Sequence, residues 1–272
     1  MDKRLTGKAI IITGGARGLG LAMAKGLAGA GASLMLADVD GDEMEKTLAG
    51  EFQGDAGARV NGMAGDVRSD GDCAAIVAAC EAAHGKVDVL INNAGIGIVS
   101  LNADHPQRAV KLNDVPGDKL LDFVAVHAVG ALRMMHAAVG GMRDRGWGRI
   151  ITVTTSMATM TRGAMGPYGG AKAASEAYTT CLSQELDGTG VTANILVPGG
   201  AADTRLVPDE PGLNRADLIR PEVMVAPAIW LASDASDGYN GHRFLGRLWD
   251  PTLAPEEAVK TAGWPINWVD PA

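Results

Sequence analysis

The run Lys8-Ala-Ile-Ile-Ile-Thr13 passes at once into Gly14-Gly-Ala-Arg-Gly-Leu-Gly20, and residues 21–30 then read as a helix of small residues. A short apolar run of this kind suits a parallel strand buried on both faces. Strand, glycine turn and helix in that order are the context a dinucleotide fingerprint requires. The spacing is G-x-x-x-G-x-G, through Gly14, Gly18 and Gly20, rather than the commoner G-x-G-x-x-G. The physics is the same. Glycines permit a tight turn and a close backbone approach to a pyrophosphate, and the helix N-terminus offers free N–H groups and positive potential. Taken alone, the stretch reads equally as a plain strand-to-helix turn.

The chain downstream repeats the unit. A second strand-like run, 33–37, ends in Asp38, eighteen residues after Gly20, close to where an adenosine-ribose carboxylate belongs. A carboxylate accepts ribose hydroxyls and repels a 2′-phosphate, so Asp38 points to NAD. Arg17 pulls the other way, because a cation beside the phosphates can hold a 2′-phosphate. Further strands are expected at 58–65, 87–91, 147–155, 191–197 and 241–245, with helices at 40–53, 69–84, 118–145, 167–186 and 221–232. This alternation predicts βαβ units and a parallel sheet. Asn92-Asn-Ala-Gly95 sits at a strand's C-terminal end, where open α/β sheets bind ligands. Residues 97–113, with Pro106, residues 157–167, and residues 201–220, with Pro208 and Pro211, read as loops that line a substrate pocket.

Bulk properties narrow the class. The length of 272 residues is compatible with one large α/β domain. A net charge of −8 argues against a polyanion-binding surface, so no nucleic-acid partner is expected. No apolar run approaches the roughly 18 residues that span a membrane, so no membrane partner is expected either. The first residues enter a strand-like run without a signal-peptide pattern. Cys73, Cys80 and Cys181 are odd in number and fall in helix-like segments. They are read as buried free thiols in a reducing, cytoplasmic setting.

One pair carries chemistry. Tyr168 and Lys172 lie four apart in a helical run, which puts both on one face. An ammonium beside a phenol favours the phenolate, so the lysine is expected to lower the tyrosine pKa and let the pair move a proton. An isolated pair of this type is usually surface decoration; its context decides.

In that context the sequence resembles the short-chain dehydrogenase/reductase family over nearly its whole length. Thr13-Gly-Gly-Ala-Arg-Gly-Leu-Gly20 looks like the family's glycine motif, and Asp66-Val67 is similar to its adenine-contacting pair. Asn92-Asn-Ala-Gly95 looks like its N-N-A-G, Tyr168 and Lys172 match its Y-x-x-x-K, and Pro198-Gly199 with Thr204 resembles its element near the nicotinamide. The resemblance implies a Rossmann-like, doubly wound parallel sheet in a single α/β domain. It implies cofactor contacts from Gly14, Arg17, Gly18, Leu19, Gly20, Asp38, Asp66, Val67, Asn93, Gly95, Tyr168, Lys172, Pro198, Gly199 and Thr204. Tyr168 would exchange a proton with the substrate oxygen, Lys172 would lower its pKa and hold the nicotinamide ribose, and a hydroxyl would orient the substrate. A homotetramer or homodimer built on 118–145 and 167–186 is implied as well.

The sequence departs from the family at three places. The family's catalytic serine lies thirteen residues before the tyrosine, where this chain has Thr155, with Ser156 next to it. Ser156 is preferred here, because its unbranched side chain is freer to meet a substrate, and Thr155 is the alternative. His127, in Val126-His-Ala-Val-Gly130, stands where the family has an asparagine that holds a proton-relaying water. It would hold such a water, titrate itself, or simply pack in its helix. The stretch Gly241-His-Arg-Phe-Leu-Gly-Arg-Leu-Trp249 replaces the family's usual ending. The tail after it carries Trp249, Trp264 and Trp268 and is expected to dock on its own chain or a neighbouring subunit. The resulting expectation is a dinucleotide-binding catalytic domain at 1–246 with a tail at 247–272. It would use NAD, with NADP less favoured, to oxidise or reduce a small alcohol or carbonyl compound. A non-catalytic dinucleotide sensor, or an epimerase or dehydratase on the same scaffold, are the alternatives.

Overall fold

A computed structural model describes residues 4–101, 111–207, 209 and 212–266. The expectations placed on Pro106 and most of 97–113, on Pro208 and Pro211, and on Trp268 lie outside the described residues.

The three isoleucines of the first strand show how the layers form. In β1 (Ala9–Thr13), Ile10 and Ile12 point to one face of the sheet and Ile11 to the other, and all three are fully buried. Each such side chain contributes roughly 1.5–3 kcal/mol on burial. On the first face, Leu34 and Leu36 of β2 (Ser33–Asp38) join Met23 and Leu27 of α1 (Gly18–Gly29). On the second, Met35 and Leu90 join Ile76 and Cys80 of α3 (Asp70–His84) and Met134 and Met142 of α4 (Gly117–Asp144). A sheet buried on both sides explains why its strands read as continuous apolar runs.

The remaining elements are α2 (Gly41–Glu51), β3 (Val60–Ala64), β4 (Val89–Asn92), β5 (Gly148–Val153), α5 (Gly166–Glu185), β6 (Val191–Val197), α6 (Val225–Leu231), β7 (His242–Leu245), α7 (Pro255–Ala262) and β8 (Gly263–Pro265). Sheet order is β3-β2-β1-β4-β5-β6-β7-β8. Every pairing is parallel except β7 with β8. This is the doubly wound Rossmann-like sheet expected. The order reverses between β1 and β4, which opens a crevice at their C-terminal ends.

Several local expectations need correction. α4 is 28 residues long and by length and composition apolar enough to cross a membrane, against the expectation that nothing in the chain would be. Its apolar side, including Phe123, Ala131, Met134 and Ala138, is a core face. α4 also contains a π-helical segment, Val124–Val129, which widens the helix at His127. Residues 221–224 are 3₁₀, and α6 begins only at Val225. Cys73 and Cys80 are buried as expected, but Cys181 is exposed on the outer side of α5. The tail through residue 266 lies on its own chain. β8 adds to the sheet edge, Ala258, Val259 and Ala262 of α7 are buried, and Trp249 packs 5.4 Å from Trp230.

Candidate active site

The glycine turn is shaped by backbone contact. A Cβ on Gly20 would lie 2.1 Å from the Gly14 carbonyl oxygen, and one on Gly14 would meet the Ala94 Cα at 2.9 Å. Only glycine lets the turn close this tightly. The first N–H groups of α1 have no intrahelical acceptor, and Arg17 at the N-cap makes no side-chain cap to them. Leu19 packs into the core beneath. The turn therefore presents bare backbone and a helix N-terminus at the crevice.

Asp38 closes β2 beside this turn and is 8% exposed. Its carboxylate accepts the backbone N–H of Ala16 at 3.3 Å and of Asp40 at 3.1 Å. Arg17 is engaged by acids: its guanidinium pairs with Asp40 at 2.6 Å and lies 3.9 Å from Asp38. Asp40, which the sequence reading passed over, also caps α2 through the Glu43 N–H. These two interactions, the cap first, hold its carboxyl below the usual range.

Asp66 and Val67 follow β3. The Asp66 carboxylate accepts a bidentate pair from Arg68, which lowers its pKa. Val67 is buried against Gly130. At the end of β4, Asn93 is a stitch: its amide donates to the carbonyls of Thr13 at 3.0 Å and Gly14 at 2.9 Å. The Thr13 hydroxyl accepts the N–H groups of Asn93 and Ala94, both at 3.1 Å. The two strand ends flanking the crevice are thus locked together. Gly95 makes room for His127, since a Cβ there would lie 2.6 Å from the imidazole Cε1.

His127 is 2% exposed, and burial, reinforced by the nearby Lys172 charge, pushes its pKa down to about 3. It is therefore neutral at neutral pH. Its Nε2 lies 2.9 Å from the Ile96 carbonyl and 3.2 Å from the Ile96 N–H, and its ring meets that of Tyr168 edge-on at 5.2 Å. His127 Nδ1 and Asn92 Oδ1 are buried without a partner among the described residues. Both residues line a cavity of about 10 Å³ with Thr13, Lys172 and Ser175, room for about one water.

α5 presents Tyr168 and Lys172 toward the end of β5. The structure changes the expected electrostatics. Burial pushes the Tyr168 phenol up to about 12, and a hydrogen bond with the Thr155 hydroxyl works against that rise. The Lys172 ammonium lies 6.0 Å from the phenol ring centroid and donates to the Val153 carbonyl at 2.7 Å. Burial lowers its pKa to about 8. Desolvation of the phenol outweighs any help from the lysine, which is turned to the strand. The two candidate hydroxyls also part company. Thr155 is the hydroxyl that draws the phenol pKa down, whereas Ser156 Oγ accepts the Thr159 N–H at 3.1 Å and caps the helical turn Met157–Met160. Ser156, the preferred residue, is thus engaged within its own turn.

Pro198 and Gly199 leave β6 at the same sheet end, and the Pro198 carbonyl accepts the Arg247 N–H at 3.1 Å. Thr204 lies against Gly18, with its Cγ2 3.2 Å from where a Cβ would stand. Arg205 reaches Glu43 of α2 at 3.4 Å. Thr204 and Arg205 thus lie beside the glycine turn and the start of α2. Sequence reasoning missed Glu176 and Arg243, a buried ion pair behind Thr155. The signal was present: Tyr168, Lys172 and Glu176 form one stripe at i, i+4 and i+8, and an arginine stands inside a strand.

A sequence profile described as short chain dehydrogenase matches residues 8–211. The acetoacetyl-CoA reductase of Rhizobium meliloti (strain 1021) is 31% identical over 235 residues, 82% of this chain and 90% of the reductase. The D-beta-hydroxybutyrate dehydrogenase of Cupriavidus necator is 29% identical over 198 residues, 72% of this chain and 71% of the dehydrogenase. Among solved structures, levodione reductase shares the fold with a TM-score of 0.76 at 24% identity, over 87% of this chain and 95% of the other.

Proposed function

The chain belongs to the short-chain dehydrogenase/reductase family and is an oxidoreductase of hydroxyl and keto groups; on that premise we propose that it prefers NAD(H), with Tyr168 as general acid/base and Thr155 as the orienting hydroxyl. The residues fit a nicotinamide dinucleotide. The bare turn at Gly14, Gly18 and Gly20 suits a pyrophosphate, and Asp38 suits the adenosine ribose. Residues 198–204 stand at the same sheet end as Tyr168. When bound, the dinucleotide supplies hydride exchange with the substrate carbon.

The protein's own residues handle the proton and the orientation. The Tyr168 phenol, protonated at neutral pH, donates to the substrate oxygen during ketone reduction and recovers a proton in the reverse sense. Thr155 shares the hydrogen-bond network of that oxygen and steers it toward the phenol. Lys172 favours the phenolate electrostatically while it is charged. His127 stays neutral and packs against the Tyr168 ring, fixing its orientation.

The observation that carries the cofactor preference is the engagement of Arg17 by Asp40 and Asp38. Two carboxylates around one guanidinium leave that end of the site with a net negative charge, unfavourable to a 2′-phosphate. The substrate is a small-molecule alcohol or ketone, and Asp66 and Val67 flank the adenine side. Leu121, Val124 and Leu132 of α4 and Tyr178 of α5 are exposed, which supports a homodimer or homotetramer on these helices. A cytoplasmic location is part of the same reading. The test is an assay of an alcohol and ketone panel followed by nicotinamide absorbance. Turnover is expected with NADH at a lower KM than with NADPH. Saturation with NADPH alone overturns the preference, and dinucleotide binding without turnover on any substrate favours a sensor.

A further inference from the structure

Thr155 lies beyond the sheet's support. β5 ends at Val153, and the last strand-like bond is from the Thr154 N–H to the Leu196 carbonyl at 3.2 Å. What holds the next residues is a set of side chains from α5 and β7. Lys172 takes the Val153 carbonyl, the Thr154 hydroxyl donates to Glu176 Oε2 at 2.8 Å, and Arg243 Nη2 donates to the Thr155 carbonyl. Arg243 Nη1 donates to the same Glu176 oxygen. Three consecutive residues are thus each gripped by a charged side chain. Glu176 is 1% exposed and Arg243 5% exposed. A fully desolvated ion pair is weak evidence for a stabilising role, since a well-packed apolar pair often serves stability as well. Its reach to the carbonyl of Thr155, the proposed orienting hydroxyl, suggests another use.

We propose that Glu176 and Arg243 are positioning residues for proton transfer, clamping residues 154–155 so that Thr155 is held where its hydroxyl can serve the substrate oxygen beside Tyr168. This rests on the assignment of Tyr168 and Thr155 above. The clamp belongs to the helix face that carries the phenol, so the acid/base group and the support of its partner move as one body. Arg243 comes from β7, in the stretch where the chain departs from the usual family ending, and β8 pairs outside it with Trp264 opposite Arg243.

The experiment measures kcat, KM and NADH affinity for Glu176→Gln, Arg243→Met, Thr155→Val and the double variants that add Thr155→Val to each. NADH affinity is read from tryptophan fluorescence, and Tyr168→Phe runs alongside. The clamp predicts that each single change lowers kcat about tenfold or more, as misplacement of a reacting group by an ångström or less does. NADH affinity should stay within about twofold, and neither change should lower kcat further in the Thr155→Val background. Arg243→Lys, which restores the charge and one donor, should recover part of the loss. Full kcat in Glu176→Gln, or losses that multiply with Thr155→Val, overturns the clamp while leaving Tyr168 intact. Should Arg243→Met fail to fold, Glu176→Gln, nearly isosteric, decides. Retained turnover in Tyr168→Phe overturns the site assignment itself and the clamp with it.

Discussion

At the proposed proton-transfer centre, Thr155 and Ser156 compete for one role. The Thr155 hydroxyl draws the Tyr168 pKa down, and Ser156 caps the turn after it. Thr155→Val is therefore expected to lower kcat by about a hundredfold, in the range of general acid/base effects, while Ser156→Ala keeps near-normal turnover. Steady-state kinetics of the two variants check this, and the reverse pattern returns the role to Ser156. His127 makes a second residue-scale prediction. Its folded pKa of about 3 lies below the unfolded value near 6.5. Below pH 6.5 the unfolded chain takes up a proton that the native site refuses, so stability present above that pH is lost as pH falls toward 3. The loss is about 1.4 kcal/mol per pH unit. Denaturant melts between pH 7 and 5 should show it, and His127→Asn should flatten the slope; an equal slope in the variant refutes the burial argument. The motif spacing pointed to Tyr168 and Lys172 and singled out the odd histidine. The sequence reading preferred Ser156 to Thr155, because spacing fixes where a strand ends but not which of the next side chains turns inward.

At the scale of elements, the tail is the part least readable in advance. β8 has three residues, Gly263-Trp-Pro265, too few to show any periodicity. Its place comes from contact: Gly263 fits against the Phe244 ring, where a Cβ would lie 2.4 Å from Cε1. The long helix α4 was legible, but its π segment was not, because the pattern Val124-Ala-Val-His-Ala-Val129 carries no proline or glycine pair to announce it. Ending the chain after Asp250 removes α7 and β8 and uncovers the β7 edge. Thermal unfolding should fall by roughly 5–10 °C, as a loss of about 2–3 kcal/mol does in a chain of this size. An unchanged midpoint would mean that the tail rests on the sheet without supporting it.

For the whole molecule, the strand order explains why distant motifs converge. β1, β4, β5 and β6 end on one side of the sheet, so Gly14, Asn93, Thr155 and Pro198 come together although they span most of the sequence. That convergence could be read from the βαβ alternation and the right-handed crossover rule. The sequence marks Glu176 and Arg243 singly but not their pairing, which joins a helix to a strand 67 residues later through side chains alone. This convergence is what would make Tyr168 the proton-transfer group of the proposed NAD-dependent reaction. The most direct test of that role is Tyr168→Phe, which removes one oxygen and leaves the ring against His127. On a substrate that the wild-type protein turns over, the expected result is a fall in kcat of at least about a hundredfold with NADH affinity unchanged; wild-type turnover in this variant would contradict the account.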